Sequence, residues 1–234
     1  MQFIRSLLFS LYFYLSVIIF TVFFVLVSPF INIKKRYSIT NIFISTLLNV
    51  LRLLCGINWN VKGAIANKKP VVVASNHQGL WESFYLQTLV TPLTTIIKRE
   101  LVFIPFFGWA LYLLNPIKIN RSKKIQSAKK VKLKGSLKIK NGFSILVFPE
   151  GTRKKPGKTI GKFARSAADL AIKNHVDLIP VYHNSGFFWK NKEFIKNPGT
   201  VQVVIGEPIQ GSSATEMTNN LIKWMNNEAS MSTN

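Results

Sequence analysis

The sequence predicts an α/β fold, a largely parallel sheet flanked by helices, carried behind an N-terminal hydrophobic helical membrane anchor. Three observations predict it. The run Leu7 to Ile31 holds about 25 residues without a charge. From Gly56 onward, short β-branched runs alternate with helical stretches, the signature of strands joined by crossover helices. A length of 234 residues suits one globular domain plus an anchor and is short for two domains. The division expected is 1–57 for the anchor and an amphipathic helix, 58–228 for the chemistry-bearing domain, and 229–234 for a polar tail.

The uncharged run is long enough, at about 1.5 Å rise per residue, to cross a hydrocarbon core of about 30 Å. A cleaved signal peptide is the rival, but its apolar core spans only about 7–15 residues and ends in a small-residue site, and neither feature is present. Lys34, Lys35 and Arg36 follow the run and only Arg5 precedes it, which places the C-terminal body on the cytoplasmic side. A second apolar stretch, Ile39 to Ile57, has Ile39, Ile42, Phe43, Leu47, Val50, Leu51 and Leu54 on one helical stripe. Such a stripe serves equally a helix packed on a core and a helix lying in the membrane interface.

Beyond Gly56 the expected strands are 71–75, 94–97, 143–148, 178–182 and 201–206. Helices are expected at 82–90, at 101–114 (interrupted by Pro105 and Gly108), from a Ser122 cap toward Lys140, at 160–174 and at 215–227. Neither internal repeats nor a Gly/Ser linker breaks the pattern.

Composition narrows the partners. Lys and Arg number 31 against 9 Asp and Glu, a net charge of +22. A charge of that size speaks of an anionic partner rather than of fold. The 48% apolar content favours an anionic membrane surface over nucleic acid, which is not expected as a partner. Between Glu100 and Glu150 no acid occurs, while ten Lys and Arg do. Most of these are a solvated helix face; together they form a cationic surface suited to anionic lipid or to an acidic acyl carrier. The single cysteine, Cys55, excludes an internal disulfide and an all-cysteine zinc site. His-Glu-x-x-His spacing is absent, and His175 and His183 are isolated in sequence, so no metal site is expected.

Two constellations follow directly after strands, where sites collect in α/β sheets. In Asn76-His77-Gln78-Gly79-Leu80-Trp81-Glu82, the loop containing Gly79 can fold a carboxylate onto the imidazole. A neutral imidazole takes a proton from an alcohol while the acid fixes its tautomer and steadies the imidazolium. In Phe148-Pro149-Glu150-Gly151-Thr152-Arg153, backbone N–H groups, a hydroxyl and a guanidinium meet in one turn, the parts of a phosphate clamp. An ordinary surface turn reads the same way. A third block, Lys98-Arg99-Glu100-Leu101, precedes an aromatic cluster at 104–109 that suits a core or a slot for a fatty chain. With no Gly-x-Ser-x-Gly elbow, direct attack by a bound alcohol is the simpler scheme.

Taken in order, Asn76-His77-x4-Glu82, Lys98-Arg99-Glu100-Leu101, Ile119-Asn120-Arg121, Phe148 to Arg153 and Ile179-Pro180-Val181 resemble the glycerolipid acyltransferases, and most closely the bacterial 1-acyl-glycerol-3-phosphate acyltransferases. The resemblance covers roughly residues 60–210. It implies that His77 is the base and Glu82 its partner. It implies that Glu150, Gly151, Thr152 and Arg153, with Arg121 and Lys98, hold the glycerol phosphate, and that Pro180 shapes the site floor. The family pattern has Asp where this chain has Glu82, though some bacterial relatives resemble this chain in carrying Glu; the extra methylene changes the reach of the acid. The resemblance further implies acyl transfer from acyl-CoA or acyl-carrier protein to lysophosphatidic acid, without cofactor, at the bacterial inner membrane. It also implies a two-helix N-terminal element that dips into one leaflet.

Overall fold

In the computed structural model, residues 1–66, 69–157 and 160–232 are described. The apolar run forms α1 (Gln2–Val27), and a short 3-10 turn at Ser28–Phe30 leads into α2 (Ile33–Cys55). Asn32 caps α2 by accepting the Lys35 N–H at 2.9 Å. Gly56 ends it in the left-handed region at φ 67°, where glycine carries no Cβ penalty. The two helices form an antiparallel hairpin: Phe20 stacks on Phe43, and the Cys55 thiol lies against the Arg5 carbonyl. Both are long and apolar enough to cross a membrane, which indicates membrane association. One face of α1 is docked along its length, with Phe9 and Phe24 buried and the Thr21 hydroxyl donating to the Phe106 carbonyl. Its other face leaves Leu11, Leu15, Ile19 and Leu26 exposed.

A seven-stranded sheet follows: β1 (Ile57–Lys62), β2 (Val72–Ser75), β3 (Leu93–Lys98), β4 (Ile117–Ile119), β5 (Ser144–Val147), β6 (Leu178–His183) and β7 (Gly199–Ile205), in the order β1-β7-β6-β2-β5-β3-β4. Every pair is parallel except β6 with β7. The largely parallel sheet expected from the sequence is therefore present. Side chains alternate across it. Val71 and Val73 face a core shared with Leu47 and Leu51 of α2 and with Trp81. Val72 and Ala74 face the opposite core, with Leu170 and Leu221. The helices of that second layer are α5 (Lys124–Lys140), α6 (Ser166–Asn174) and α7 (Ala214–Met231); α3 (Trp81–Tyr85) and α4 (Phe107–Leu113) are short.

Several boundaries differ from expectation for local reasons. The 82–90 helix is α3 followed by a 3-10 turn at Leu86–Thr88. Ser122 does not cap α5: its hydroxyl donates to Asn120 Oδ1 at 2.7 Å, and the helix begins two residues later without a side-chain cap. The helix expected from Ile160 starts at Ser166, because the Ala164 N–H, which such a helix would donate to the Ile160 carbonyl, donates instead to the Pro149 carbonyl at 2.9 Å. The expected polar tail from 229 continues α7 through Met231, with Ala229 buried; residues 233 and 234 lie outside the described chain.

Candidate active site

The buried β2 ends at Ser75, and the loop 76–80 turns into α3, whose first turn carries Glu82. A Cβ on Gly79 would stand 2.4 Å from the Trp189 carbonyl oxygen, so only glycine lets this loop bridge to Lys190. That close approach folds the carboxylate back onto the loop. Glu82 Oε1 lies 2.9 Å from His77 Nδ1 and accepts the N–H groups of Gln78 at 2.8 Å and Gly79 at 2.6 Å. Its Oε2 accepts the Ser185 hydroxyl at 2.8 Å.

Glu82 is fully buried, the His77 side chain 10% exposed. Burial alone would raise the Glu82 carboxyl. The His77 hydrogen bond, the electrostatic influence of the adjoining His183 and His77 rings, and the Gly79 N–H outweigh it and hold the group below the usual carboxylate range. An ionised carboxylate facing Nδ1 makes that nitrogen the donor, so in the neutral ring Nε2 is the nitrogen with a lone pair to accept a proton. The Phe148 ring, 4.1 Å away and tilted 17°, stacks on the imidazole and fixes its plane.

The end of β5 supplies the second constellation. Glu150 Oε1 accepts the His77 N–H at 2.9 Å, and the Lys154 N–H donates to the His77 carbonyl at 2.8 Å, so the 148–154 turn clamps the loop bearing the imidazole. Burial raises the Glu150 carboxyl; the His77 N–H and Lys154 oppose this, and the charge of Glu82 adds to it. Gly151 stands at φ 70° with open space around it, and Thr152 and Arg153 are exposed, the guanidinium donating to Asn191 Oδ1 at 3.2 Å. The two sequence constellations are therefore one site.

The remaining candidates lie further off. Lys98 ends β3, two strands from β2, and reaches Glu100 at 4.0 Å; Arg121 follows β4 and is exposed. Both share the carboxyl-terminal edge of the sheet with His77 but touch none of its partners among the described residues. Pro180 lies within β6 opposite Ala74, its ring close to Gly206, which places it in the strand framework rather than beside the imidazole.

Sequence reasoning missed Ser185 and undervalued His183. The latter is fully buried: its Nε2–H donates to the Asn76 carbonyl at 2.9 Å, and its Nδ1 lies 3.1 Å from the Ser185 hydroxyl. Burial lowers its pKa, with Glu82 and the Asn76 carbonyl opposing, which suits a neutral ring. Asn76 closes the arrangement by donating to the His183 carbonyl and accepting its N–H, at 2.8 and 3.0 Å. The signal available was a polar His-Asn-Ser run at the end of a strand neighbouring β2.

Comparison with known proteins places the chain in a family. The Acyltransferase family profile matches residues 57–184. A 1-acyl-sn-glycerol-3-phosphate acyltransferase of Pseudomonas aeruginosa is 38% identical over 208 residues, covering 88% of this chain and 80% of that protein. The protein of the same name from Saccharomyces cerevisiae is 31% identical over 173 residues, 72% of this chain and 57% of its own length. The crystal structure of the 1-acyl-sn-glycerophosphate (LPA) acyltransferase PlsC from Thermotoga maritima superposes with a TM-score of 0.80 over 100% of this chain and 98% of that one; at 24% identity it speaks to the fold. This chain belongs to the acyltransferase family, and within it is similar to the 1-acyl-sn-glycerol-3-phosphate acyltransferases.

Proposed function

We propose that the protein transfers an acyl group from acyl-CoA or acyl-carrier protein to the sn-2 hydroxyl of 1-acyl-glycerol 3-phosphate, forming phosphatidic acid at a membrane. The names of the similar proteins support the acceptor, and one observation carries the chemistry: a buried carboxylate 2.9 Å from Nδ1 of a ring whose Nε2 has no hydrogen-bond partner among the described residues. His77 Nε2 takes the hydroxyl proton as the oxygen attacks the thioester carbonyl, and returns a proton to the departing thiolate. Glu82 steadies the imidazolium between the two transfers. A base so placed contributes about 10²–10⁴-fold. The thioester is already activated, so the scheme calls for no prosthetic group. Glu150 and Lys154 act on the backbone of His77, while Gly151, Thr152 and Arg153 are left open to an acceptor, with Lys98 and Arg121 further along the same edge. Lys34, Lys35 and Arg36 after α1 favour a cytoplasmic catalytic face, at the inner membrane of a bacterium. A tethered binder of anionic lipid would account for the +22 charge but gives no reason for a buried carboxylate–imidazole pair.

The test is transfer from labelled acyl-CoA and labelled acyl-carrier protein, in washed membranes, to lysophosphatidic acid, glycerol 3-phosphate and other lysolipids. Lysophosphatidic acid is the expected acceptor, and His77→Ala abolishes turnover while the protein stays folded in membranes. Near-normal turnover in that variant refutes the mechanism.

A further inference from the structure

Apart from the dyad, Lys196 is a buried ammonium with no acid beside it among the described residues. It is 7% exposed, and its Nζ donates to Ser10 Oγ at 3.1 Å and to the Phe194 carbonyl at 2.8 Å. The rings of Phe194, Trp189 and Phe9 lie 4.9, 5.6 and 5.8 Å away. An ammonium has three donors, and two find acceptors among the described residues. Buried charges are ordinarily paired, yet the ion pairs among the described residues leave Lys196 out. Burial draws its pKa below the ordinary lysine value.

Lys196 lines a cavity of about 440 Å³ between α1 and the segment after β6, together with Arg153, Lys190 and Lys192. One acid, Glu193, is present, and it is engaged with Lys190 at 3.4 Å. The cavity adjoins the dyad: Leu80 is in its wall, and Lys190 bridges Gly79. Its apolar side is Phe13 and Tyr14 of α1, and Tyr14 is 67% exposed on that apolar helix. Excess positive charge at one wall and an opening along a membrane-associated helix at the other fit a single-chain lipid with an anionic head.

We infer that this cavity is the headgroup subsite of the acceptor, in which Lys196, with Lys190 and Arg153, binds the phosphomonoester while the acyl chain leaves along α1. The assignment rests on the proposed reaction for the identity of the lipid, and adds residues that lie outside the sequence blocks. A phosphate oxygen takes the third ammonium donor, and the hydroxyl end of the same head then points toward the loop bearing His77. Ser6 and Ser10 acquire a purpose here. They are two serines one turn apart on a largely apolar helix, and they hold the Lys196 backbone N–H and ammonium, respectively.

The experiment uses the full chain in membranes and compares wild type with Lys196→Met, Lys196→Arg and the half-exposed Lys190→Gln. Expected is a rise of about tenfold or more in KM for lysophosphatidic acid in Lys196→Met, the loss falling on KM rather than kcat and sparing the donor KM. Lys190→Gln shows a smaller rise in the same constant, and Lys196→Arg restores most of the affinity. The preference for lysophosphatidic acid over phosphate-free monoacylglycerol shrinks by the same factor in Lys196→Met. An unchanged acceptor KM in both charge-removing variants, a change in the donor KM alone, or equal loss with both acceptors overturns the assignment. If wild type does not acylate lysophosphatidic acid, the reaction proposed above fails instead. The subsite is then read from titration with dodecyl phosphate, for which Lys196→Met must bind more weakly than wild type.

Discussion

Replacing Glu82 by Gln separates the charge of the dyad from its shape, because the site can absorb an amide. The amide oxygen takes the position of Oε1 and keeps the His77, Gln78 and Gly79 donors. The amide nitrogen then faces Ser185, which accepts from it and turns its own hydrogen to His183 Nδ1, already 3.1 Å away. The Nδ1–H tautomer of His77 therefore survives, and what is lost is the attraction between a carboxylate and the imidazolium formed during transfer. For unit charges about 4 Å apart at an effective dielectric of about 20, that attraction is about 4 kcal/mol. A neutral hydrogen bond recovers about 1 kcal/mol. The difference, about 3 kcal/mol, is roughly a hundredfold in kcat at about 1.4 kcal/mol per decade. The assay is initial rate at saturating donor and acceptor, beside a thermal melt. A kcat within about fivefold of wild type would mean the charge is not used in the transition state. A melt lowered as far as by an unsatisfied buried group would mean that Ser185 and His183 cannot reorganise as described.

Ser185→Ala strands Glu82 Oε2, fully buried, without its hydroxyl partner; a cost of about 1–3 kcal/mol is expected, read as a drop of several degrees in the melt. In a Glu82→Ala background the same substitution costs kcat nothing further, since its effect on the chemistry passes through the carboxylate. Gly79→Ala drives a Cβ to 2.4 Å from the Trp189 carbonyl, so the loop must open and turnover is lost with it, checked by activity alongside circular dichroism. Stability should respond to pH with opposite signs at the two acids. The depressed Glu82 contributes stability that is present above the unfolded value of about 4.3 and fades as pH falls toward its folded value. Glu150, raised by burial, makes the fold less stable as pH climbs from about 4.3 through its folded value. Melts of Glu150→Gln should accordingly exceed wild type near neutrality, with the gap closing as the pH is lowered toward about 4.5.

How much of this was legible depended on the range over which each signal acts. Strands β2, β5 and β6 are buried on both faces, and their continuous apolar runs stood out in the sequence. Strand β1 did not. Its Ile57, Trp59 and Val61 alternate with Asn58, Asn60 and Lys62, but Ile57 also completes the apolar stripe of α2, and the helical reading absorbed it. Strand β4 is three residues long, too short for any period to register. The antiparallel pairing of β7 against β6 was equally unavailable, because direction depends on how the 184–198 segment returns, which no local pattern encodes.

The site divides along the same line. His77 and Glu82 are five residues apart, so loop and first helical turn could be read together, and their distance from Glu150 was bridged by the rule that parallel strands end on one edge. Ser185 is 103 residues from Glu82, and its hydroxyl matters only because β6 runs beside β2 in the register that pairs Ser75 with Val181. Shift that pairing by one residue and the side chains of β6 exchange faces: His183 would leave Asn76, and the strand end that positions Ser185 would move from the carboxylate. The longer reach of Glu over Asp fits the same constraint. The carboxylate spans from two backbone donors on its own loop to a hydroxyl supplied by the next strand, so the choice of acid at position 82 and the polar run after β6 answer each other.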